Sequence, residues 1–147
     1  MQVEGFLEKG VSPGVQDKEK RSGAHFAAYH GELEMLQLLH SKGVDMDSED
    51  IAGRSPLHYA ALRDHESIVA FLESKGAWLD ACDATDSCPL HLAARAGCPA
   101  AASRLLKLGA KSIIKNQWSL TPLGKFFVLL CCRIIMRWEG SSQTPTD

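Results

Sequence analysis

A large net charge, a glycosylation acceptor and an apolar leader are all missing from the sequence, and each absence excludes a class of protein. The formal net charge is −2, which is too small to indicate a nucleic-acid partner or a membrane surface from bulk electrostatics. The only asparagine, Asn116, is followed by Gln117 and Trp118 and so forms no glycosylation acceptor. Glu4 and Glu8 lie where a signal peptide would carry its apolar core. Secretion is therefore not indicated.

Paired cysteines and long apolar runs are also scarce. The five cysteines are an odd number without the regular spacing of a disulfide scaffold, so we expect a reducing compartment, cytoplasmic, nuclear or both. Residues 126–132 are apolar, but Arg133 ends this run far short of the roughly 20 apolar residues that span a bilayer. We therefore expect no membrane span.

What the sequence does contain is a repeat of 33 residues. The stretch "SPLHYAA" at 55–61 returns as "CPLHLAA" at 88–94. Four other sets of positions keep the same spacing along the chain. They are His25, His58 and His91; Ala27, Ala60 and Ala93; Gly10, Gly43, Gly76 and Gly109; and Asp17, Asp50, Asp83 and Asn116. A fixed period of this length indicates stacked copies of one structural unit.

Each copy predicts two short helices and a reversing loop. Ser55 supplies a hydroxyl that can take up a free backbone N–H, and Pro56 fits a first turn, so the first helix should begin at 55–57. This helix should stop near Asp64, at the position of Gly31 and Gly97, in a left-handed conformation. A second helix should follow and end at the repeated glycine. The residues that mark the copies are His25, Gly43, Pro56, Leu57, His58, Gly76, Pro89, Leu90, His91 and Gly109.

The unit resembles the ankyrin repeat. The stretches "GVDMDSEDIAGRSPLHYAA" (43–61) and "GAWLDACDATDSCPLHLAARAG" (76–97) match the loop and first helix of that family almost letter for letter, and the likeness runs from about residue 2 to 124. The resemblance implies an all-α solenoid of stacked helix-loop-helix units, whose hairpin-like loops project along one edge of a concave groove. Periodicity alone indicates only the stacking.

The repeat register divides the chain into six segments. Residues 1–12 are the end of a partial repeat, 13–45 a first repeat, 46–78 and 79–111 the second and third repeats, 112–124 the start of a truncated fourth, and 125–147 a tail outside the pattern. The first repeat has "SGAH" at 22–25 and so lacks the proline and the large apolar residue of the motif. We expect it to be the least stable full unit.

Resemblance to the repeat stops at Gly124, where the pattern expects a histidine. The apolar tail that follows has two interpretations. It is either a degenerate last helix folded over the stack, or a substitute C-terminus that truncates a longer ankyrin array. We favour the second interpretation because the chain also starts within a repeat, so that it would be an isoform or fragment of a larger protein.

One pair of side chains suggests chemistry. Cys88 and His91 lie three residues apart at a predicted helix start, which would suit a thiol–imidazole pair or two metal ligands. However, His25 and His58 occupy the same register without a cysteine, and this favours a structural role in which the imidazole ties successive units together. Because no complete catalytic or ligating constellation accompanies the pair, we expect no enzyme activity, no cofactor and no metal site.

The resemblance also implies a function in protein binding. In the family, the recognition surface is carried by variable residues at the loop tips and at the end of each first helix. Carried onto this sequence, these positions include Arg21, Tyr29, His30, Glu49, Ile51, Arg54, Leu62, Arg63, Thr85, Ser87, Arg95, Lys115 and Trp118. We expect a non-catalytic adaptor, scaffold or inhibitor with a protein partner. The alternative is an isoform that competes with a longer parent for partners and has no effector function of its own.

Overall fold

The computed structural model describes residues 12–122 of the chain, which contain three pairs of short helices joined by loops. The pairs are α1 (Gly23–His30) with α2 (Leu33–Ser41), α3 (Pro56–Leu62) with α4 (Glu66–Ser74), and α5 (Pro89–Ala96) with α6 (Pro99–Lys107). The predicted all-α repeat architecture is confirmed. None of the helices within residues 12–122 has the length and apolarity that crossing a bilayer requires. The predictions for the first eleven residues and for the tail lie outside the described residues.

Small side chains let the first helices stack closely. Helix α1 packs against α3, and α3 against α5, while α4 packs against α6 in a second row. The stripe between the first helices is made of buried alanines, namely Ala27, Ala28, Ala60, Ala61, Ala93 and Ala94. Alanine at these positions brings the helix axes near one another. Larger side chains fill the space between the two rows, among them Leu36, Leu57, Leu72, Leu90 and Leu105.

The ends of the first helices follow the local rules. Helix α3 begins at Pro56, as the serine and proline predict. The chain then turns with φ of 77° at Gly31, 62° at Asp64 and 71° at Gly97. Glycine takes this left-handed conformation freely, and aspartate tolerates it. The predicted helix stop is therefore confirmed in all three repeats.

A repeated carboxylate or amide side chain shapes each hairpin loop. In the second repeat, Asp50 accepts hydrogen bonds from the backbone N–H groups of Ala52 and Arg54, both at 2.9 Å. Asp17, Asp83 and Asn116 likewise accept from the residues two and four positions ahead. Short side chains of this type stabilise turns by bonding to nearby backbone. The repeated acidic position thus reflects the internal hydrogen bonds of the loop.

Backbone hydrogen bonds also join each hairpin to the next. The N–H groups of Ile51, Ala84 and Gln117 donate to the carbonyl oxygens of Glu19, Ala52 and Thr85, at 2.9, 2.8 and 3.0 Å respectively. Each bond links equivalent parts of neighbouring repeats. The hairpin tips are therefore held side by side, and their outward side chains form one continuous edge.

Candidate functional site

The repeated histidines join neighbouring repeats. The ring of His58 is fully buried, and its Nδ1 accepts a hydrogen bond from the backbone N–H of Ser55 at 3.1 Å. Its Nε2 lies 3.1 Å from the carbonyl oxygen of Ser87 in the next hairpin. Because a backbone N–H only donates and a carbonyl only accepts, the ring is neutral and carries its proton on Nε2. The predicted role of tying successive units together is confirmed.

His25 and His91 repeat this arrangement. His25 links the N–H of Ser22 to the carbonyl of Arg54, and His91 links the N–H of Cys88 to the carbonyl of Leu120, with all four distances between 2.9 and 3.1 Å. Burial lowers the pKa of all three histidines below the usual imidazole value. The shift favours the neutral ring that these hydrogen bonds require.

Cys88 lies beside a histidine, but its thiol is not poised as a nucleophile. Its Sγ is 3.0 Å from Nδ1 of His91, where Ser22 and Ser55 place hydroxyl groups in the other repeats. Burial raises the pKa of Cys88 to about 11, so the side chain stays a thiol at neutral pH. Within residues 12–122, no three His, Cys, Asp or Glu side chains are grouped so that they would hold a metal ion. Cys88 therefore takes the place of the serine at a helix start.

An aromatic cluster lies on the outward side of the first helices, where α1 meets α3. The rings of Tyr29 and Tyr59 meet edge to face with centroids 6.1 Å apart. The guanidinium of Arg63 lies 4.8 Å from the ring centroid of Tyr29, and that of Arg21 lies 5.0 Å from the ring of Phe26. Cation–π contacts of this length hold the basic groups against the rings. Together with His30, Leu62 and Arg95, these residues form what we call the first-helix face.

A cavity of about 290 Å³ opens in the first-helix face. Its walls are Arg21, His25, Phe26, Tyr29, His30 and Tyr59. The hydroxyl of Tyr59 donates to Asp50 at 2.5 Å, and burial together with this bond raises the pKa of Tyr59 to about 12. The hydroxyl is thereby satisfied within the stack. The wall that Tyr59 contributes is thus mainly its aromatic ring, and the cavity suits an apolar side chain.

The basic groups of this surface differ in their partners. Arg21 is paired with Asp17 at 2.8 Å and with Glu19 at 3.1 Å. Within residues 12–122, neither Arg63 nor Arg95 forms an ion pair. Both side chains belong to residues exposed to solvent. The first-helix face therefore presents two guanidinium groups whose charge is not neutralised by the described residues.

Most of the sequence-predicted binding residues lie around two cavities or along the hairpin edge. Arg21, Tyr29 and His30 line the cavity described above, and Arg63 stacks beside it. Arg95 and Trp118 border a second cavity of about 280 Å³ with Leu92 and Leu120. The remaining predicted positions lie on the hairpin edge or beside it, namely Glu49, Ile51, Arg54, Thr85, Ser87 and Lys115, while Leu62 is half-buried on α3.

Two of the predicted binding residues serve the stack itself. Ser87 is only 3% exposed, and its hydroxyl accepts a hydrogen bond from the Thr85 hydroxyl at 3.0 Å. The expected contact between Ser87 and a partner conflicts with this burial, because the side chain is enclosed where two hairpins meet. Arg54 places its Nε 3.4 Å from the carboxylate of Asp83 in the next repeat. Its guanidinium is therefore engaged within the stack.

Sequence reasoning missed several outward side chains. Phe26 is 42% exposed and Tyr59 lines the same cavity, yet neither was among the predicted positions. Each directly follows a repeated histidine, so the recurrence of an aromatic residue at this repeat position could have identified both from the sequence. Trp78 is 65% exposed in the loop after α4, and no repeat position pointed to it.

Comparison with known families agrees with this geometry. The fold defines a protein of stacked helical repeats with side chains that project along its hairpin edge and first-helix face. A family model described as ankyrin repeats in three copies matches residues 2–81 and 24–116. Because these matches cover most of the sequence, the chain belongs to the ankyrin-repeat family, whose repeats generally serve as protein-interaction modules. No curated protein matches the chain.

Proposed function

We propose that the chain is a non-catalytic module that binds a protein partner through its hairpin tips and its first-helix face. The observation that carries the proposal is that the side chains that stack the repeats differ from those that project into solvent. Alanines, histidines and aspartates satisfy the stacking contacts, whereas Arg63, Arg95 and Trp118 project outward from three consecutive repeats. Arginine and aromatic side chains are the types that most often dominate the energetics of interfaces.

Within this proposal the module acts in the cytoplasm or the nucleus as an adaptor, a scaffold or an inhibitor. The alternative is a competitor that occupies a partner and recruits nothing further. The two differ in the number of proteins bound at once, since an adaptor bridges two proteins and a competitor holds one. Co-precipitation of one identified partner by a second, with and without the chain, separates them.

The proposal is tested by comparing partners captured from a cell lysate. The test variant carries Tyr29→Ala, Arg63→Ala, Arg95→Ala and Trp118→Ala. The control variant carries Lys42→Ala, Trp78→Ala and Lys107→Ala, which truncate exposed side chains outside the first-helix face and the hairpin tips. Circular dichroism first establishes that both variants are folded, and mass spectrometry then identifies the captured proteins.

We expect partners that are lost from the test variant and kept by the control. If the test variant keeps every partner, or if the control alone loses them, the binding surface lies elsewhere on the chain and the proposal is wrong.

A further inference from the structure

We propose that the first-helix face recognises a short acidic segment of its protein partner that carries one aromatic side chain. The aromatic ring enters the cavity between α1 and α3, and carboxylates near that ring pair with Arg63 and Arg95. This inference rests on the proposed function and adds the chemistry of the partner.

The shape and lining of the cavity favour an aromatic occupant. At about 290 Å³ it lies near the lower end of the range for ligand pockets, which suits a single side chain of a peptide. The rings of Phe26, Tyr29 and Tyr59 all contribute to its walls. Aromatic pairs prefer edge-to-face and offset arrangements, which an inserted ring gains and an aliphatic side chain does not. A cationic side chain would meet Arg21 and the nearby Arg63, and is therefore disfavoured.

The charges around the cavity favour carboxylates on the partner. Several acidic side chains of the first three hairpins are already engaged within the stack. Asp50 and Asp83 are buried acceptors of hydrogen bonds from their own loops, and Asp17 pairs with Arg21. Arg63 and Arg95, by contrast, form no ion pair with a carboxylate among residues 12–122. Complementary charge on the partner would both steer the encounter and select the register.

The hairpin tips argue for a peptide rather than a nucleic acid. Glu49 and Asp86 are both exposed in the hairpins of the second and third repeats. A polyanion with a charge at every step would meet these carboxylates, whereas a peptide can place its acidic residues at intervals. Unfavourable charge contacts of this kind discriminate against the wrong partner.

The test uses selection from a phage-displayed library of random linear dodecapeptides on the full 147-residue chain. We expect the enriched peptides to share an aromatic residue flanked by Asp or Glu. Synthetic fluorescein-labelled copies then give dissociation constants by anisotropy for wild type, for the double variant Arg63→Gln and Arg95→Gln, and for Lys42→Gln with Lys107→Gln. The second double variant removes the same amount of charge from exposed positions outside the face.

Loss of the two arginines should weaken binding about fivefold to tenfold, since exposed ion pairs contribute modestly, and the lysine control should bind as wild type does. Replacing the aromatic residue of the peptide by alanine should weaken binding at least as much. Enriched peptides that lose binding in the Tyr29→Ala variant but are neutral, basic or free of aromatic residues would overturn the inference and leave the proposed function standing. Failure to enrich any peptide overturns the inference and also counts against the proposed function. Tighter binding of a fluorescein-labelled single-stranded oligonucleotide than of any selected peptide also overturns the inference.

Discussion

Acidification should destabilise the stack through its three linking histidines. In His25, His58 and His91, Nδ1 accepts a hydrogen bond from a backbone N–H. A second proton on Nδ1 would point at that N–H and break the bond. Burial lowers the pKa of each ring below its value in the unfolded chain. Between the two pKa values the unfolded chain therefore binds more protons than the folded one.

This difference in proton binding sets the sign and size of the effect. The stabilisation is complete above the unfolded imidazole pKa of about 6.5, and it is lost as the pH falls from there through the folded pKa. Each such histidine contributes a slope of at most about 1.4 kcal/mol per pH unit within its window. All three together give at most about 4 kcal/mol per unit. A domain of ordinary stability has about 5–15 kcal/mol in total, so a slope of this size is large enough to measure.

Urea unfolding, followed by circular dichroism at several values between about pH 5 and pH 7.5, measures the free energy of unfolding across the imidazole window. His58→Gln provides the matched variant, because glutamine does not titrate and can both accept and donate a hydrogen bond. We expect this variant to be less stable at neutral pH but to have a smaller slope, lower by at most about 1.4 kcal/mol per pH unit. A free energy that does not change with pH in wild type, or an equal slope in the variant, would refute the reasoning.

Three further predictions concern single residues. Asp64→Ala should lower the free energy of unfolding by about 1–3 kcal/mol. The carboxylate accepts the N–H of Ala101 in the first turn of α6 at 2.8 Å, and alanine tolerates the left-handed backbone at φ of 62° less well than aspartate does. Urea unfolding measures the change, and equal stability would contradict it. Lys20→Gly should raise Tm by a few degrees. Lys20 has φ of 58°, and this conformation costs about 1–2 kcal/mol, which exceeds the roughly 0.5–1 kcal/mol lost through the greater freedom of glycine in the unfolded chain. Calorimetry that finds a lower Tm would count against this prediction. Cys88→Ser should leave Tm nearly unchanged, because serine fills this position in two other repeats. In wild type, iodoacetamide should alkylate the exposed Cys82 well before the buried Cys88. Mass spectrometry that detects early modification of Cys88 would contradict the burial.

Features set by neighbouring residues were predictable from the sequence. The start of α3 at Pro56 and the left-handed turn at Asp64 depend on a helix start and a helix stop, which local composition specifies. The linking role of His58 was predictable because the histidine recurs at a fixed period while the residue three positions before it changes from Ser55 to Cys88. Repetition separates what every copy needs from what one copy carries.

Contacts between repeats were not predictable in the same way. Arg63 and Tyr29 are 34 positions apart, and nothing local to either residue indicates that a guanidinium lies over a ring. The contact depends on how far one repeat is shifted and rotated against the next. Similarly, the Nε2 of His65 lies 3.0 Å from the carbonyl oxygen of Tyr29. One repeat later, at the equivalent positions, the thiol of Cys98 donates to the carbonyl oxygen of Leu62. Two unlike side chains supply the same link, so a search for identical letters does not find it.

The first-helix face is not periodic, although the stack beneath it is. The position directly after each repeated histidine holds Phe26, Tyr59 and then Leu92, which is buried. The position three residues further on holds Tyr29, Leu62 and Arg95. A partner displaced by one repeat towards α5 would therefore meet Leu62 in place of Tyr29, Leu92 in place of Tyr59 and Ala96 in place of Arg63. The two cavities also differ in their lining, which is Phe26, Tyr29 and Tyr59 in the first and Leu92, Trp118 and Leu120 in the second. In the proposed mode of binding, the partner therefore distinguishes positions along the stack by the side chains that the repeat does not dictate.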